Sequence, residues 1–410
     1  MFAHIDVDAF FASVLVRQDP RLRGRPLLAL GMGGGCVIAA SYEAKAKGVQ
    51  TGMRVTEAKK LCPEATQRLA NFAEACRASV DIEAILMEQC PAMERMSVDE
   101  WFLDLRSLVG GTPNDLGTWA SEIQRTVQAH LSLSVSVGIG PTKTLAKMAS
   151  EYRKPAGITV LISSEGNPSQ CSLLVPHSSF LKDRPAAAIP GIGHARSKHT
   201  ERHGWRTAWD FAQAPEEIVG RLFGKPGREL RCEVRGTPVY GILADDRPPQ
   251  SLSRCRSFRH THRRAIVYSH LLEHLQILVR KMRKEQQSCL WVYVWTRDRN
   301  YISLKHHCKL SEGMDTEEAL LPYVRECFDR LWTQQEHATQ VGLALTGLHA
   351  SRRRQYSLFE VPERTEEREQ IQRTLDMLQE RFGRGAVVRG PQIELGHSRK
   401  SVRTVYGDLF

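Results

Sequence analysis

The run Ala3-His-Ile-Asp-Val-Asp-Ala-Phe-Phe11 decides how the rest of the chain is read. It is short and apolar, with two acids at period two. As a strand it sets Asp6 and Asp8 on one face and Ile5 and Val7 on the other. Neighbouring carboxylates do not both stay ionised cheaply without a counter-charge. A second acidic group, Ser97-Val-Asp-Glu100, lies far along the chain. Asp99 and Glu100 are consecutive, so a flat strand points them to opposite faces, and a turn or bulge there brings both towards Asp6 and Asp8. Gathered carboxylates are the donor set of hard divalent ions, and two such ions roughly 3.5–4 Å apart clamp an in-line phosphoryl displacement. The competing reading, a solvated strand face, leaves the second acidic group without a role.

The 410 residues are enough for several domains with real cores, and 41% apolar with 25% charged residues is ordinary for a globular protein. No apolar stretch approaches the roughly 18 residues of a membrane span, and the start of the chain lacks a basic leader ahead of an apolar core. A cytoplasmic protein with no membrane partner is expected. The ten cysteines include no Cys-x-x-Cys pair, so neither a disulfide framework nor a zinc knuckle is expected. His199 and His203 stand at i,i+4 without a third ligand in view and read as a helix surface. The net charge of +11 points to a polyanion. From Leu252 to Lys284 nine Lys/Arg face a single acid, Glu273, which makes this stretch the candidate phosphate-tracking surface.

Along the chain, residues 1–10 and 72–161 read as one α/β unit split by an insertion. Its later part holds helices over about 73–89 and 114–131, and a strand over Leu133–Gly140 whose alternation marks one buried face. The expected result is a sheet with helices on one face and the acids on its open side. The insertion, 11–71, is small and rich in Gly and Ala. Residues 162–236 read as helical and basic, and the Pro- and Asp-bearing 237–250 as a linker. Residues 251–350 alternate helical and strand patterns (Ser269–Lys284, Cys289–Thr296, Leu320–Trp332, Thr339–Leu345). A polar tail, 351–410, carries an amphipathic helix near Arg364–Phe382.

With the acids placed, the chain resembles a Y-family translesion DNA polymerase over roughly residues 1–360. The likeness rests on Asp6-Val-Asp-Ala-Phe-Phe11, Ser41-Tyr-Glu-Ala-Lys45, Ser97-Val-Asp-Glu100, Val137-Gly-Ile-Gly-Pro-Thr-Lys143 with Lys154-Pro-Ala-Gly157, and Ile189-Pro-Gly-Ile-Gly193, in the family's order. It implies an α+β multidomain fold: a ferredoxin-like palm (1–10 and 72–161), small fingers (11–71), a thumb with a helix-hairpin-helix element (162–236), and an α/β little finger (251–350).

The resemblance implies that Asp6, Asp99 and Glu100 are catalytic acids. Together with Asp8 and the Val7 carbonyl they would hold two Mg²⁺ ions, with Mn²⁺ as the substitute, for attack of a primer 3′-hydroxyl on a dNTP. Phe11, beside Phe10, would be the steric gate against ribose. Tyr42 and Lys45, one helical turn apart, would grip the triphosphate with Lys154. Where this chain has Lys45 the family more often has Arg, whose fork grips phosphate bidentately. Gly35 and Cys36 would roof the template base. Gly191 and Gly193 would bring backbone N–H groups to DNA phosphate beside Arg196. Arg254, Arg256 and Arg259 would grip primer–template DNA. Gln355-Tyr-Ser-Leu-Phe359 resembles the peptide by which bacterial polymerases dock on the sliding β clamp, with Gln355, Leu358 and Phe359 as its anchors; Tyr406-Gly-Asp-Leu-Phe410 has a similar ending.

The function so implied is low-fidelity lesion-bypass synthesis without proofreading, with SOS accessory proteins as further partners. The tail around Arg381-Phe-Gly-Arg-Gly385 inclines the reading towards the UmuC (polymerase V) branch over the DinB (polymerase IV) branch. Three rivals stand beside it. An inactive clamp-bound adaptor leaves the intact acids unused. A nucleotidyl cyclase leaves the hairpin element and basic segment surplus, and a non-enzymatic DNA scaffold leaves the acids without purpose.

Overall fold

A computed structural model describes residues 1–108, 110–162, 174–243, 248–351, 362–383, 387 and 390. Gln355, Leu358 and Phe359 lie outside the described residues. The chain divides into two compact units, residues 1–245 and 246–408.

In the first unit β1 (Phe2–Val7) leads into α1 (Phe10–Gln18), β2 (Leu27–Leu30), β3 (Val37–Ala40), α2 (Tyr42–Lys45), α3 (Val55–Leu61) and β4 (Thr66–Leu69). Then come α4 (Phe72–Gln89), β5 (Met93–Arg95), β6 (Glu100–Asp104), α5 (Leu116–Leu131), β7 (Val135–Gly140), α6 (Lys143–Ser150) and β8 (Ile158–Ile162). Last are β9 (Leu174–Pro176), α7 (His177–Asp183), α8 (His194–Arg202), α9 (Ala208–Gln213) and α10 (Glu216–Val234). One sheet runs β5-β6-β1-β7-β8-β9, and a smaller one, β3-β2-β4, forms from the insertion. β1 is central and antiparallel to both neighbours. Its Ile5 and Val7, with Trp101, Leu103, Val135, Val137 and Ile139, pack on Ile82 and Leu86 of α4 and Ile123 and Val127 of α5.

Two expectations are corrected here. The N-terminal strand stops at Val7: Ala9 takes a left-handed φ of 46°, and Phe10 and Phe11 begin a helix. The sheet's second face is not open either, because α6 lies on it. Gly138 shows how closely, since a Cβ there would stand 2.1 Å from the Ser150 nitrogen and 2.2 Å from the Ala146 carbonyl oxygen. Both faces of β1 and β7 are therefore buried, and the acids collect at a strand end. The α6 N-terminus is held by Thr142, which accepts from the Leu145 N–H.

The second unit has β10 (Ser251–Thr261), α11 (Arg264–Lys284), β11 (Gln287–Arg297), β12 (Ser303–Met314), α12 (Glu317–Gln334), β13 (Ala338–Thr346), β14 (His349–Ala350) and α13 (Pro362–Phe382). Its sheet runs β10-β13-β11-β12, with β14 on β11. Leu271, Leu275 and Leu278 of α11 and Val324 and Phe328 of α12 cover one face against Val292, Val294, Val341 and Leu343. Sequence patterning misses β10 and β12. Both are studded with Arg, His and Lys, because only one of their faces is covered.

Replacing Gly138 by Ala should cost about 3 kcal/mol of stability, since backbone must shift to admit the methyl. Gly33→Ala, with nothing within 4 Å of its Cβ, should stay within about 0.5 kcal/mol. Denaturant unfolding midpoints check both.

Candidate active site

Asp6 is the last acid inside β1, in register with Glu100 of β6 on one side and Ser136 of β7 on the other. The β5–β6 turn separates the two consecutive acids: Asp99 sits in the turn and Glu100 opens the strand. The Val7 N–H donates to the Asp99 carbonyl at 3.0 Å, which docks that turn on the end of β1. The Ser97 hydroxyl donates to the Asp99 carboxylate. Asp6, Glu100 and Glu151 present carboxylate oxygens all within 4.8 Å of one another. Glu151, directly after α6, is the member that sequence reasoning missed.

Lysines surround these acids. Lys154 donates to Asp6 at 2.5 Å and to Glu151 at 2.7 Å, and Lys147 of α6 pairs with Glu100. Asp6 is 6% exposed. Burial pushes its carboxyl up to about 8, against the pull of Lys154, and Glu151 and Glu100 add to the rise. Burial also raises Asp99, with Glu100 adding to it. His4, behind the cluster, bonds the Ser150 hydroxyl at 2.7 Å; burial and then Lys147 hold it well below its ordinary value and hence neutral.

Asp8 departs from expectation. Past the strand end its carboxylate turns away and accepts from the Ser136 hydroxyl (2.8 Å), the Ala156 N–H (2.8 Å) and the Tyr42 hydroxyl (3.3 Å). With three donors it ties β7, α2 and the Lys154–Gly157 loop together, and it lies outside the group formed by Asp6, Glu100 and Glu151. That loop needs its small residues: Ala156 has φ 52°, and a Cβ at Gly157 would lie 2.2 Å from the Arg153 carbonyl oxygen.

Tyr42 and Lys45 come to the same place. The Lys45 ammonium lies 4.5 Å from the Tyr42 ring centroid. Desolvation and then the Lys154 charge hold it below its ordinary value. Phe10 is core, whereas Phe11 is half-buried against Phe10 (5.3 Å between centroids) and Phe72 (5.4 Å). Gly35 and Cys36 are exposed in the β2–β3 loop, with nothing within 4 Å of a Cβ at Gly35.

At the hairpin before α8, Gly191 has φ 94° and Gly193 caps the helix. Arg196 is not a spare cation. It donates to the Gly191 carbonyl at 3.0 Å and lies over Phe223. Gly224, with φ 66°, breaks α10 in two beside exposed Lys225.

In the second unit, Arg254 and Arg256 pair in register with Leu343 and Val341, so they point to the helix-covered face. Arg256 donates to Glu273 of α11 at 3.1 Å. These two arginines are therefore displaced from the free face, while Arg259 is exposed beyond them. The free face is carried by residues missed in the sequence: Trp291, Tyr293 and Trp295 of β11 and Lys305, His307 and Lys309 of β12. Tyr293 and His307 stack at 5.1 Å, and Lys309 lies 5.7 Å from the Trp291 ring. Period-two alternation in β12 was the available signal.

Comparison with known proteins fits this arrangement. A family model described as impB/mucB/samB matches residues 5–151, and that family's C-terminal-domain model matches residues 249–358. DNA polymerase IV of Moorella thermoacetica is 31% identical, covering 94% of both chains. The chain belongs to the Y-family of translesion DNA polymerases. DNA polymerase IV of Bacillus velezensis is 29% identical over 99% of this chain and 96% of its own. A Y-family polymerase chimera of Dbh and Dpo4 superposes with a TM-score of 0.71 at 20% identity, covering 85% of this chain and 99% of the chimera. The fold is thus the Y-family set of palm, fingers, thumb and little finger. The polymerase IV relatives place the chain on the DinB-like side of the family, against the lean that its tail suggested.

The Asp6 shift has a pH signature. Between the ordinary value of 3.8 and about 8 the folded polymerase holds a proton that the unfolded chain has released. Stability without divalent ions should therefore fall as pH rises through that window. Millimolar Mg²⁺ should raise the melting temperature more at about pH 8 than at about pH 6, where that proton competes with the ion. Thermal melts check this, and Asp6→Asn should remove both the slope and the ion's effect.

Proposed function

We propose that the acids at the end of β1 are the nucleotidyl-transfer centre of this chain, which family membership makes a DNA-directed DNA polymerase of the lesion-bypass class. The observation that carries the reading is the convergence of Asp6, Asp99 and Glu100 at one strand end, facing Tyr42, Lys45 and Lys154. The family implies divalent metal, and the donor set fits it: carboxylate oxygens are hard ligands, suited to Mg²⁺ or Mn²⁺ over thiophilic ions. The proton held by Asp6 marks the charge deficit that such ions fill. Asp6, Asp99, Glu100 and the Val7 carbonyl would hold them. Bound there, the ions would supply the positive charge that acidifies the primer 3′-hydroxyl and neutralises the triphosphate and leaving pyrophosphate.

The chain's own residues do the rest. Lys154, which bridges Asp6 and Glu151, serves as the resting counter-charge and passes to the triphosphate with Lys45 and Tyr42. The 3′-hydroxyl releases its proton to solvent, its oxygen bonds to the α-phosphorus, and the bond to pyrophosphate breaks with the electron pair leaving on pyrophosphate. Phe11, braced by Phe10 and Phe72, abuts the sugar where a ribose hydroxyl would stand, and Gly35 and Cys36 leave the roof over the base pair uncrowded. The Gly191–Gly193 hairpin offers backbone N–H groups to DNA phosphate. The outer little-finger face, with Arg259 at its edge, offers lysines and ring faces to the duplex. Low fidelity without proofreading, action on nucleoid DNA in the cytoplasm, docking of Gln355, Leu358 and Phe359 on a sliding clamp, and SOS partners belong to the same proposal. Among the described residues no helix is long and apolar enough to cross a membrane.

Replacing Asp99 and Glu100 together by Ala should lower primer extension by at least about 10³-fold and leave primer–template affinity within a few-fold, since an interaction made in the transition state is lost. Retained extension in a single-turnover assay would contradict the assignment and favour the adaptor. Phe11→Ala should raise ribonucleotide over deoxynucleotide incorporation by at least about tenfold, the scale of one lost steric clash. Unchanged sugar discrimination would remove the gate role.

A further inference from the structure

The little finger holds a second group of ligating side chains, of different chemistry. On β12 the alternation that sends Lys305, His307 and Lys309 outwards sends His306 and Cys308 inwards, under α12. From α12 comes Cys327, with Arg330 one turn further on. His306, Cys308 and Cys327 offer ligand atoms all within 4.8 Å of one another, and the two sulfurs are 3.2 Å apart. Around them the inter-layer core is apolar, with Val324, Phe328 and Leu331 of α12 and Leu310 of β12. The His306 Nδ1 is buried and has no hydrogen-bond partner among the described residues, while Nε2 faces the Arg330 guanidinium at 3.1 Å. A buried nitrogen without a partner, beside two thiols, calls for an occupant.

We propose that His306, Cys308 and Cys327 bind a thiophilic divalent ion of the zinc type, which staples β12 to α12. Two sulfurs and one imidazole are three-quarters of a tetrahedral zinc shell, and a water completes it. On one tetrahedral ion at about 2.3 Å the sulfurs stand about 3.7 Å apart, so binding spreads the pair slightly. Ligation through Nδ1 puts the imidazole proton on Nε2, where Arg330, itself only a donor, must withdraw. Arg330 has somewhere to go, because it is already paired with Glu326 at 2.7 Å. Each thiol gives up its proton to the solvent on binding. The carboxylate cluster at β1 contains no sulfur, which makes the two sites spectroscopically separable.

The test is titration of the reduced, metal-free full chain with Co²⁺, followed by near-ultraviolet absorption. The expected result is a sulfur-to-cobalt charge-transfer band that saturates at one ion per chain and is displaced by Zn²⁺. Cys308→Ser and Cys327→Ser should each abolish the band, and His306→Ala should weaken Co²⁺ binding at least about tenfold, the scale of a lost coordination contact. The Asp99→Ala/Glu100→Ala variant should keep it. Absence of the band in the unsubstituted reduced chain, or its survival in Cys327→Ser, would overturn the proposal. So would a Cys308–Cys327 disulfide formed in air whose full reduction restores no cobalt band.

Discussion

Acidic side chains at the end of β1 repel one another, and burial makes Asp6 and Asp99 harder to ionise. The elements packed around the end of β1 answer that conflict. β1 lies between β6 and β7, so Asp6 cannot swing away from Glu100, and the Val7 N–H holds the Asp99 turn against the same strand end. Charge must be brought to the acids because the acids cannot leave. Lys154 and Lys147 bring part of it, and Asp6 retains a proton to cover the remainder. A site in that condition binds hard divalent ions readily and releases protons as it does so.

The scaffold supports this crowding from both faces of the sheet. α4 and α5 pack on one face and α6 on the other, so near that Gly138 has no room for a methyl group. That proximity positions Lys147 and Glu151 over the acids. Asp8 contributes indirectly: by collecting three donors it fixes the loop that carries Lys154 and the helix that carries Tyr42 and Lys45. The two separate segments that carry these basic and phenolic groups are thereby held by one carboxylate.

The gathering of Asp6, Asp99 and Glu100 beside Tyr42, Lys45 and Lys154 was legible in the sequence because short motifs carry these residues and the turn between Asp99 and Glu100 is demanded by their adjacency. The three donors on Asp8 were not legible, since period two suggests a face shared with Asp6 and nothing local announces that the strand ends at Val7 with Ala9 left-handed. Glu151 and Lys147 were missed because their relevance depends on α6 crossing the sheet, a long-range packing fact. In the little finger, charge density over 252–284 drew attention to Arg254 and Arg256, yet register turns them towards the helices. The free face belongs to β11 and β12, whose Lys, His and Trp residues are separated in sequence and unite only on pairing. His306, Cys308 and Cys327 escaped for the same reason: cysteine spacing reveals a site only when its ligands are close in sequence.

The central claim is that Asp6, Asp99 and Glu100 hold the ions while Asp8 holds the scaffold. Anomalous diffraction at the manganese edge, from crystals of the chain with primer–template, a non-hydrolysable dNTP and Mn²⁺, tests it most directly. The expected result is manganese peaks ligated by Asp6, Asp99 and Glu100, with Asp8 still accepting from Ser136 and Ala156. Manganese on Asp8, or none at the end of β1, would contradict it.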